Sequence, residues 1–274
     1  MRIARFAADE DVRYGVVEDG GGSAGTGPSN GQAAEELTIA EISGHPFGPG
    51  GDVQLTGARH KVDDVRLLAP VLPSKVVAIG RNYAEHARET GADVPDEPLI
   101  FLKPSTAVIG PGDPIARPVR LAQRVDFEGE LAVVFGRLCR DVPAGRVPEV
   151  IFGYTCANDV TARDLQARDG QWARAKGFDT FCPLGPWIET SLDPGDVLLT
   201  TTVNDDVKQQ ASTALLIHDI VKLVTYVTAV MTMLPGDILL TGTPAGIGPL
   251  VAGDRVSVQI DGIGTLTNPV VDGS

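Results

Sequence analysis

The sequence from Asp126 to Phe135 is DFEGELAVVF, and its charged first half runs directly into an apolar, β-branched second half. The second half is typical of a buried strand. Because side chains two positions apart point to the same face of a strand, Glu128 and Glu130 are predicted to lie side by side, with Asp126 beside them if the strand extends that far. Neighbouring carboxylates at a buried strand are costly without positive charge between them, so a divalent cation is one explanation. A solvated edge strand with a charged face is the alternative.

The composition indicates a globular protein of short strands and turns. The chain has 274 residues, which suits one large domain or a large and a small one. Its 32 glycines and 20 prolines, with only 5% aromatic residues, favour many turns over a helical bundle. The net charge of −13 argues against a nucleic-acid partner, which needs a basic face, and fits carboxylates gathered to hold cations.

Cysteine usage and hydropathy bear on the compartment. The three cysteines match neither a disulfide framework nor a zinc site. The N-terminus lacks the pattern of a signal peptide, because acidic residues follow Phe6 closely. Residues 220–234 are apolar, but they include Lys222 and are too short to span a bilayer. We therefore expect a reduced, cytoplasmic protein with no membrane partner.

The chain is predicted to divide into a small accessory domain, residues 1–70, and a main domain, residues 71–274. The predicted features of the first domain are short strands over 2–6 and 13–17, a flexible glycine-rich loop over 20–31 and a turn of helix over 38–42. Those of the second are strands over 75–79, 99–103 and 151–157, and helices over 82–89, 160–166 and 220–233. Asp159 or Thr161 is the predicted N-cap of the second of these helices. Pro-Gly-Asp turns at 194–196 and 235–237 are each predicted to lead into a buried strand.

Asp159 is a natural third ligand for a cation at Glu128 and Glu130. It ends a predicted strand, and strand ends direct side chains into shared clefts. Three carboxylates without histidine or cysteine favour magnesium (Mg²⁺) or manganese (Mn²⁺), with calcium (Ca²⁺) as a further option, over zinc. Helix capping alone would also explain Asp159, and the two roles are compatible.

Two helical segments carry further candidates. Arg163 and Gln166 share a predicted helix face with Asp159, so Arg163 could hold a substrate carboxylate with Gln166 as a second donor. A weak surface pair between Asp159 and Arg163 is the alternative. His86 and Glu89 lie three apart, and a carboxylate that orients an imidazole suits a general base. From their spacing alone, a solvated charged helix is the better interpretation.

Lys103, Lys176 and Thr243 complete the candidates. Either lysine could bring positive charge to an anionic substrate, although lysines more often lie on the surface. Thr243 lies in the glycine-rich loop 241–248, where backbone N–H groups and its hydroxyl could face an oxyanion. This loop lacks the Gly-Lys-Ser/Thr ending of a phosphate loop.

In their order along the chain, these segments resemble the fumarylacetoacetate hydrolase (FAH) family, in its bacterial acylpyruvase and 2-hydroxyhepta-2,4-diene-1,7-dioate isomerase-like branch. The resemblance spans about residues 74 to 270 and rests on many ordered motifs, because any one alone is weak. The opening resembles the small N-terminal domain of bacterial members, with the glycine-rich loop as a departure. The motifs are Gly80-Arg81-Asn82-Tyr83 with His86, Phe101-Leu102-Lys103-Pro104, Phe127-Glu128-Gly129-Glu130-Leu131, Gly153-Tyr154 with 158–164, Lys176-Gly177-Phe178-Asp179, and Pro235-Gly236-Asp237 with Thr241-Gly242-Thr243-Pro244.

The resemblance implies a β-rich α+β fold, an FAH-like mixed β-sandwich roll with a small N-terminal domain, and a homodimer. The implied ligands of Mg²⁺ or Mn²⁺ are Glu128, Glu130 and Asp159. The implied catalytic residues are His86, Glu89 and Lys176. The implied substrate-binding residues are Arg81, Lys103, Arg163, Gln166 and Thr243. Asp126 is not a ligand in the family pattern, so it is expected either behind the ligands or exposed.

The activity implied by the resemblance is metal-dependent hydrolysis of a C–C bond in a 2,4-dioxo acid of the acylpyruvate or fumarylacetoacetate type. The small anionic 2-oxo acid would chelate the cation, which stabilises the enolate formed when the bond breaks, while His86 activates water. Lys176, Arg163 and Thr243 would stabilise the developing charge. Isomerisation of 2-hydroxyhepta-2,4-diene-1,7-dioate and decarboxylation of oxaloacetate share the chelation step and stay open as alternatives. A non-catalytic metal- or ligand-binding protein is a more distant alternative, because a base is present.

Overall fold

Strands dominate the fold, as the β-rich α+β prediction expects. The computed structural model describes residues 1–9, 11–19, 37–47 and 53–273. The glycine-rich loop predicted over 20–31 lies outside the described residues. The longest described helix has 11 residues, and no helix in the described ranges is long and apolar enough to cross a membrane.

The elements are short and numerous. The strands are β1 (Arg2–Ala8), β2 (Asp11–Glu18), β3 (Thr38–Ser43), β4 (Gln54–Lys61), β5 (Arg66–Leu68), β6 (Val76–Gly80), β7 (Leu99–Lys103), β8 (Val108–Ile109), β9 (Ile115–Arg117), β10 (Val125–Phe127), β11 (Gly129–Phe135), β12 (Ile151–Asn158), β13 (Thr161–Ala162), β14 (Cys182–Glu189), β15 (Leu198–Val203), β16 (Asp206–Ser212), β17 (Ile238–Leu240), β18 (Gly248–Pro249), β19 (Arg255–Ile260) and β20 (Gly264–Asp272). The helices are α1 (Ala84–Glu89), α2 (Arg163–Asp169), α3 (Ala173–Lys176) and α4 (Ile220–Val230).

A large sheet forms the spine of the molecule. Its main path runs β4-β3-β2-β1-β14-β12-β11-β17-β6-β7. The N-terminal strands join this path through β1, where Arg2 lies opposite Glu189 of β14. Residues 1–70 and the rest of the chain therefore share one sheet, while their division into two domains stays a prediction.

A second sheet, β16-β15-β19-β20-β9, packs against the large one. Leu131 and Cys156 of the large sheet share one hydrophobic cluster with Leu199, Val258 and Leu266 of the second sheet, and all five side chains are buried. Apolar burial of this kind is the main source of folding free energy. The two layers form the predicted sandwich.

The segment from Asp126 to Phe135 belongs to two strands, β10 and β11, and not to one. β10 pairs with β13 and β18 in a small third sheet, whereas β11 pairs with β12 and β17 in the large sheet. The chain changes sheets at Glu128. Its pairing partner changes sheets in the same way between β12 and β13, at Asp159. The two corners are joined because the Asp159 N–H donates to the Glu128 carbonyl at 2.8 Å.

The predicted helix over 160–166 begins later than expected. Thr161 and Ala162 pair with β10, so α2 starts at Arg163. The cap residue is Ala162, without a side-chain cap, and the prediction that Asp159 or Thr161 caps this helix is wrong. Val160 and Thr161 are β-branched, which suits the strand pairing that competes with helix here.

The turn of helix predicted over 38–42 is also wrong. These residues form β3, which lies between β2 and β4. Ile39 faces Val17 and is fully buried. An apolar run this short shows no clear period, so tertiary pairing decides its conformation. The strands predicted over 2–6, 13–17, 75–79, 99–103 and 151–157, and the helices over 82–89 and 220–233, are confirmed within a few residues.

Asp237 anchors the parallel pair β6 and β17, whose far ends lead into Arg81 and Thr241. Its side chain is fully buried. Oδ1 accepts hydrogen bonds from Ser74 N at 3.0 Å and from Ser74 Oγ at 2.7 Å. Oδ2 accepts a hydrogen bond from Leu234 N at 2.8 Å and forms an ion pair with Lys75. Burial raises the pKa of Asp237, but hydrogen bonds from Lys75, Ser74 and Leu234 outweigh it and hold the pKa below its ordinary value of 3.8.

We expect Asp237→Asn to lower the free energy of unfolding by about 2–3 kcal/mol at pH 7, because an amide cannot accept all of these hydrogen bonds. The folded-state pKa is depressed, so this contribution is fully present above pH ~4 and is lost as the pH falls through the folded pKa. Urea unfolding at neutral pH, near pH 5 and near pH 3.5 measures it.

Asp196→Asn is the matched control, since Asp196 closes the other Pro-Gly-Asp turn but is exposed. Its effect should stay within about 0.5 kcal/mol. Equal losses in the two variants, or a loss in Asp237→Asn that grows as the pH falls, would contradict the role of the buried carboxylate.

Candidate active site

A cavity of about 390 Å³ opens at the two corners where the chain changes sheets. Every predicted site residue except Lys103 lines it. The predicted residues in its wall are Arg81, His86, Glu89, Glu128, Glu130, Asp159, Arg163, Gln166, Lys176 and Thr243. The topology therefore gathers one site from five separate segments of the chain.

The floor of the cavity is a triad of carboxylates, Glu128, Glu130 and Asp159. One oxygen from each lies within 4.8 Å of the others. Glu128 and Glu130 are 3% and 1% exposed, so the alternative of a solvated edge strand is wrong. The residue between them must be a glycine, because a Cβ at position 129 would lie 2.1 Å from Thr201 Oγ1. The spacing of the glutamates thus depends on a glycine that lets the second sheet approach closely.

The chemistry of this donor set fits a hard divalent cation. Burial, followed by the negative charges of Asp159 and Glu128, raises the pKa of Glu130 well above its ordinary value. Glu130 accepts a hydrogen bond from Gly242 N at 2.6 Å, but no lysine or arginine of the described residues forms an ion pair with it. Three converging oxygens, one of them without a positive partner, are the ligands that Mg²⁺, Mn²⁺ or Ca²⁺ prefers.

Two buried lysines neutralise the other carboxylates. Lys176 Nζ donates to Glu128 Oε2 at 2.8 Å and to Asp159 Oδ2 at 2.5 Å. Lys103 Nζ donates to Asp159 Oδ1 at 2.5 Å and to the Val160 carbonyl at 3.2 Å. Burial lowers the pKa of Lys176, but the charges of Asp159 and Glu128 raise it above its ordinary value, so the ammonium stays charged. Lys103 lies behind Asp159. It is not part of the cavity wall, although a residue that binds substrate directly would be expected there.

Arg163 links the triad to Asp126. Its Nε donates to Asp126 Oδ2 at 2.9 Å, its Nη2 to Glu128 Oε1 at 2.5 Å and its Nη1 to Gln166 Oε1 at 2.6 Å. Burial raises the pKa of Glu128, but Lys176 and Arg163 outweigh it and hold the pKa below its ordinary value. Asp126 is fully buried and also bonds to Arg124 at 2.8 Å, so it lies behind the ligands and is not exposed.

His86 and Glu89 lie on α1 at the cavity wall. His86 is only 6% exposed, so the interpretation of a solvated helix face is wrong. His86 Nδ1 lies 3.4 Å from Glu89 Oε2, and Glu89 Oε1 accepts a hydrogen bond from Gly246 N at 3.0 Å. The carboxylate therefore connects the imidazole to the 241–248 loop.

Asn82 fixes the segment that leads into α1. It is fully buried, its Nδ2 donates to the carbonyls of His218 at 3.0 Å and Thr241 at 2.8 Å, and its Oδ1 accepts from His218 N at 2.8 Å. Asn82 belongs to one of the family motifs, but no role was predicted for it. The available signal was an asparagine two residues after the glycine that ends a strand.

Thr243 supports the floor from below. Its hydroxyl donates to the Gly129 carbonyl at 2.8 Å and accepts from Gln209 Nε2 at 2.7 Å. Gln209 Oε1 also accepts from Gly129 N at 2.9 Å. The Thr243 proton is thus committed to the turn between the two glutamates. Gln209 carried no sequence signal that marks it for this position.

Aromatic side chains form the remaining wall. The rings of Phe101 and Trp172 meet edge to face with centroids 5.2 Å apart. Gly80 is required beneath them, because a Cβ there would lie 2.5 Å from the Trp172 ring. The Arg81 guanidinium lies 5.7 Å from the centroid of Trp172. Neither ring was predicted as part of the site.

Comparisons with known proteins show which family the chain belongs to. Residues 75–271 match the family model described as fumarylacetoacetate (FAA) hydrolase C-terminal, and residues 1–70 match the model described as Rv2993c-like, N-terminal. Protein Rv2993c of Mycobacterium tuberculosis is 55% identical over 274 residues, which cover 99% of this chain and 98% of the relative. The mitochondrial oxaloacetate tautomerase FAHD2A of Bos taurus is 43% identical over 221 residues, which cover 76% of this chain and 70% of the relative.

Two of the similar solved structures match this chain over its full length and over their own full length. The 5-carboxymethyl-2-hydroxymuconate delta-isomerase from Mycobacterium smegmatis has a TM-score of 0.87 at 53% identity. The maleylpyruvate hydrolase from Sphingobium sp. SYK-6, in complex with manganese (II) ion and pyruvate, has a TM-score of 0.78 at 32% identity. With a family model matched over most of its length and full-length neighbours of the same fold, this chain is a member of the fumarylacetoacetate hydrolase family of enzymes.

Proposed function

We propose that this enzyme hydrolyses a C–C bond in a 2,4-dioxo acid and depends on a divalent cation. One observation carries the proposal: a buried carboxylate triad and a His86–Glu89 pair face the same cavity. Hydrolysis needs a base that can reach water and a site that tolerates a developing negative charge. In this proposal His86 is the base and the cationic wall stabilises the charge, within one cavity of substrate size.

Glu128, Glu130 and Asp159 would hold the cation, with Mg²⁺ or Mn²⁺ as the proposed ion. When bound, the ion supplies positive charge beside the carboxylate and keto oxygens of a 2-oxo acid. Lys103 and Lys176 orient Asp159 from two sides, and outer contacts of this kind fix the direction of a ligand. The manganese ion and pyruvate named for the Sphingobium relative support this proposal.

His86 acts on water in the proposed reaction. Glu89 accepts a hydrogen bond from Nδ1–H, which leaves Nε2 free to take a proton from water. The water oxygen adds to the C4 carbonyl, the C3–C4 bond breaks, and its electron pair passes to C3 to form the enolate of pyruvate. The His86 imidazolium then returns the proton to C3. One dioxo acid and one water thus yield a carboxylic acid and pyruvate.

The cationic wall holds the substrate and the charge that develops on it. Arg163 uses three of its N–H groups on Asp126, Glu128 and Gln166, and its remaining N–H groups are available to a substrate oxygen. Lys176 keeps two triad carboxylates in place and adds positive charge beside the reacting end. The proposed role of Thr243 is to hold the backbone of Gly129 between the two glutamates. The homodimer and the cytoplasmic location stay predictions.

Isomerisation or tautomerisation is the second candidate. The isomerase from Mycobacterium smegmatis and the tautomerase from Bos taurus are 53% and 43% identical to this chain, compared with 32% for the maleylpyruvate hydrolase. The same triad and base would serve, with the proton moved between substrate atoms and no attack by water. Product analysis separates the two, because only hydrolysis releases pyruvate and a second acid.

Removal of one triad carboxylate should weaken cation binding and, in the absence of the cation, stabilise the fold. We expect Glu130→Gln in EDTA-treated protein to raise the melting temperature, because it neutralises a buried carboxylate that lacks a positive partner. The same variant should bind Mg²⁺ and Mn²⁺ at least about tenfold more weakly than the wild type. Calorimetry and thermal melts with and without the ion measure both effects.

Glu89→Gln is the matched control, since Glu89 lines the cavity but stands outside the triad. Its affinity for Mg²⁺ should equal that of the wild type. Unchanged affinity in Glu130→Gln, or an equal loss in both variants, would rule out the triad as the cation site.

The base is tested separately. We expect His86→Gln to lower kcat on an acylpyruvate by about 10²–10⁴-fold while leaving Mg²⁺ affinity intact, because it removes the proton acceptor and not the cation ligands. Glu89→Gln should reduce kcat less. An assay panel of acylpyruvate, fumarylacetoacetate, oxaloacetate and 2-hydroxyhepta-2,4-diene-1,7-dioate, read by ultraviolet absorbance and product analysis, identifies the reaction. Full turnover by His86→Gln would refute the mechanism.

A further inference from the structure

A buried amide from the second sheet lies against the floor of the cavity. Gln209 is on β16, the edge strand of that sheet, and is 1% exposed, whereas its neighbours Lys208 and Gln210 are exposed. The inward position of such a strand usually carries an apolar side chain that packs on the core. An amide there is costly unless its polar groups are paired, so the partners of Gln209 explain its presence.

The oxygen and the nitrogen of this amide both have partners at the site. Gln209 Oε1 accepts a hydrogen bond from Gly129 N at 2.9 Å. Gln209 Nε2 donates to Thr243 Oγ1 at 2.7 Å and to the Pro244 carbonyl at 2.7 Å. One side chain therefore bonds both to the turn between the two glutamates and to the 241–248 loop.

The turn needs side-chain partners because the chain changes sheets there. The backbone leaves β10 at Phe127 and enters β11 at Gly129. The two successive N–H groups at this corner donate to amides: Glu128 N to Asn158 Oδ1 at 2.9 Å, and Gly129 N to Gln209. Buried N–H groups without a partner are rare, so these amides supply the bonds that a continuous strand would obtain from its neighbours.

The 241–248 loop in turn orients Glu130. Gly242 N donates to a Glu130 carboxylate oxygen at 2.6 Å, one residue before Thr243. The same loop packs on the backbone of β16 at Gly246, where a Cβ would lie 2.0 Å from the Lys208 carbonyl oxygen. Gln209 thus joins the two segments that determine the direction of Glu130, which are the turn that carries it and the loop that bonds to it.

We propose that Gln209 is a positioning residue for the cation site, which sets the spacing and direction of Glu128 and Glu130. It is not part of the cavity wall, so it acts through the backbone of Gly129 and through the loop. The inference rests on the proposed function only in taking the triad as the cation site. Groups behind the ligands fix ligand direction, and their loss typically lowers metal affinity by about 10- to 100-fold.

The affinity of EDTA-treated protein for Mn²⁺, measured by calorimetry at a temperature where each variant is folded, tests this. Gln209→Met removes the hydrogen bonds and leaves an unbranched side chain of similar size, so we expect the Kd for Mn²⁺ to rise at least about tenfold. Gln210→Met makes the same change at the exposed neighbour and should bind Mn²⁺ as the wild type does. An unchanged Kd in folded Gln209→Met, or an equal loss in Gln210→Met, would overturn the proposal.

A second pair of variants decides the question if Gln209→Met does not fold. The Thr243 hydroxyl accepts from Gln209 and donates to the Gly129 carbonyl, so it carries part of the constraint. Thr243→Val removes this hydroxyl and should bind Mn²⁺ more weakly, whereas Thr243→Ser retains it and should keep the wild-type affinity. Wild-type affinity in Thr243→Val, or the same loss in Thr243→Ser, would overturn the proposal.

Glu130→Gln, measured in the same way, separates this inference from the proposed function. Weaker Mn²⁺ binding in both Glu130→Gln and Gln209→Met supports the triad and the positioning role together. A loss in Glu130→Gln with an unchanged Kd in Gln209→Met would overturn the positioning role alone. Wild-type affinity in Glu130→Gln would overturn both, because the triad would then not hold the ion.

Discussion

The buried ammonium of Lys176 is the contact on which the geometry of the site depends. It joins Glu128 and Asp159, the two residues at which the chain passes from the large sheet to the small one. Without a cation between them, these two buried carboxylates would lie close together uncompensated, which burial and mutual repulsion both make costly. The apolar clusters supply the folding free energy. The ion pairs, whose desolvation cost offsets much of their attraction, instead fix where the corners lie.

The sequence predicted the chemistry of the site better than its geometry. Glu128 and Glu130 were expected on one face of a single strand, but the strand ends at Glu128. They converge nevertheless, since their partner Asp159 turns at the same level. Local pattern identifies residue types that suit a cation, and ordered motifs identify the family. Neither indicates that two antiparallel pairs change sheets together, because this depends on pairing between segments about thirty residues apart.

Tertiary contacts also explain what the sequence did not indicate. β14 contains Pro183 and Pro186, which normally argue against a central strand, yet it lies between β1 and β12. Lys103 was expected to bind substrate, but it bonds to Asp159, 56 positions along the chain. Asn82, Gln209 and Trp172 were missed because no local pattern distinguishes their positions from those of other amides and aromatic residues. Their importance lies in partners that only the fold brings near.

The charge balance of the cavity gives a physical reason for a bound cation and an anionic ligand. Among the described residues, Glu130 is the triad carboxylate without a positive partner, and Arg81 is the wall cation without a negative one. A buried carboxylate such as Glu130 is rarely left uncompensated. A divalent cation would compensate the first and an anionic group of a ligand the second. Both groups line the same cavity, so a bound cation and an anionic ligand together would complete its charge balance.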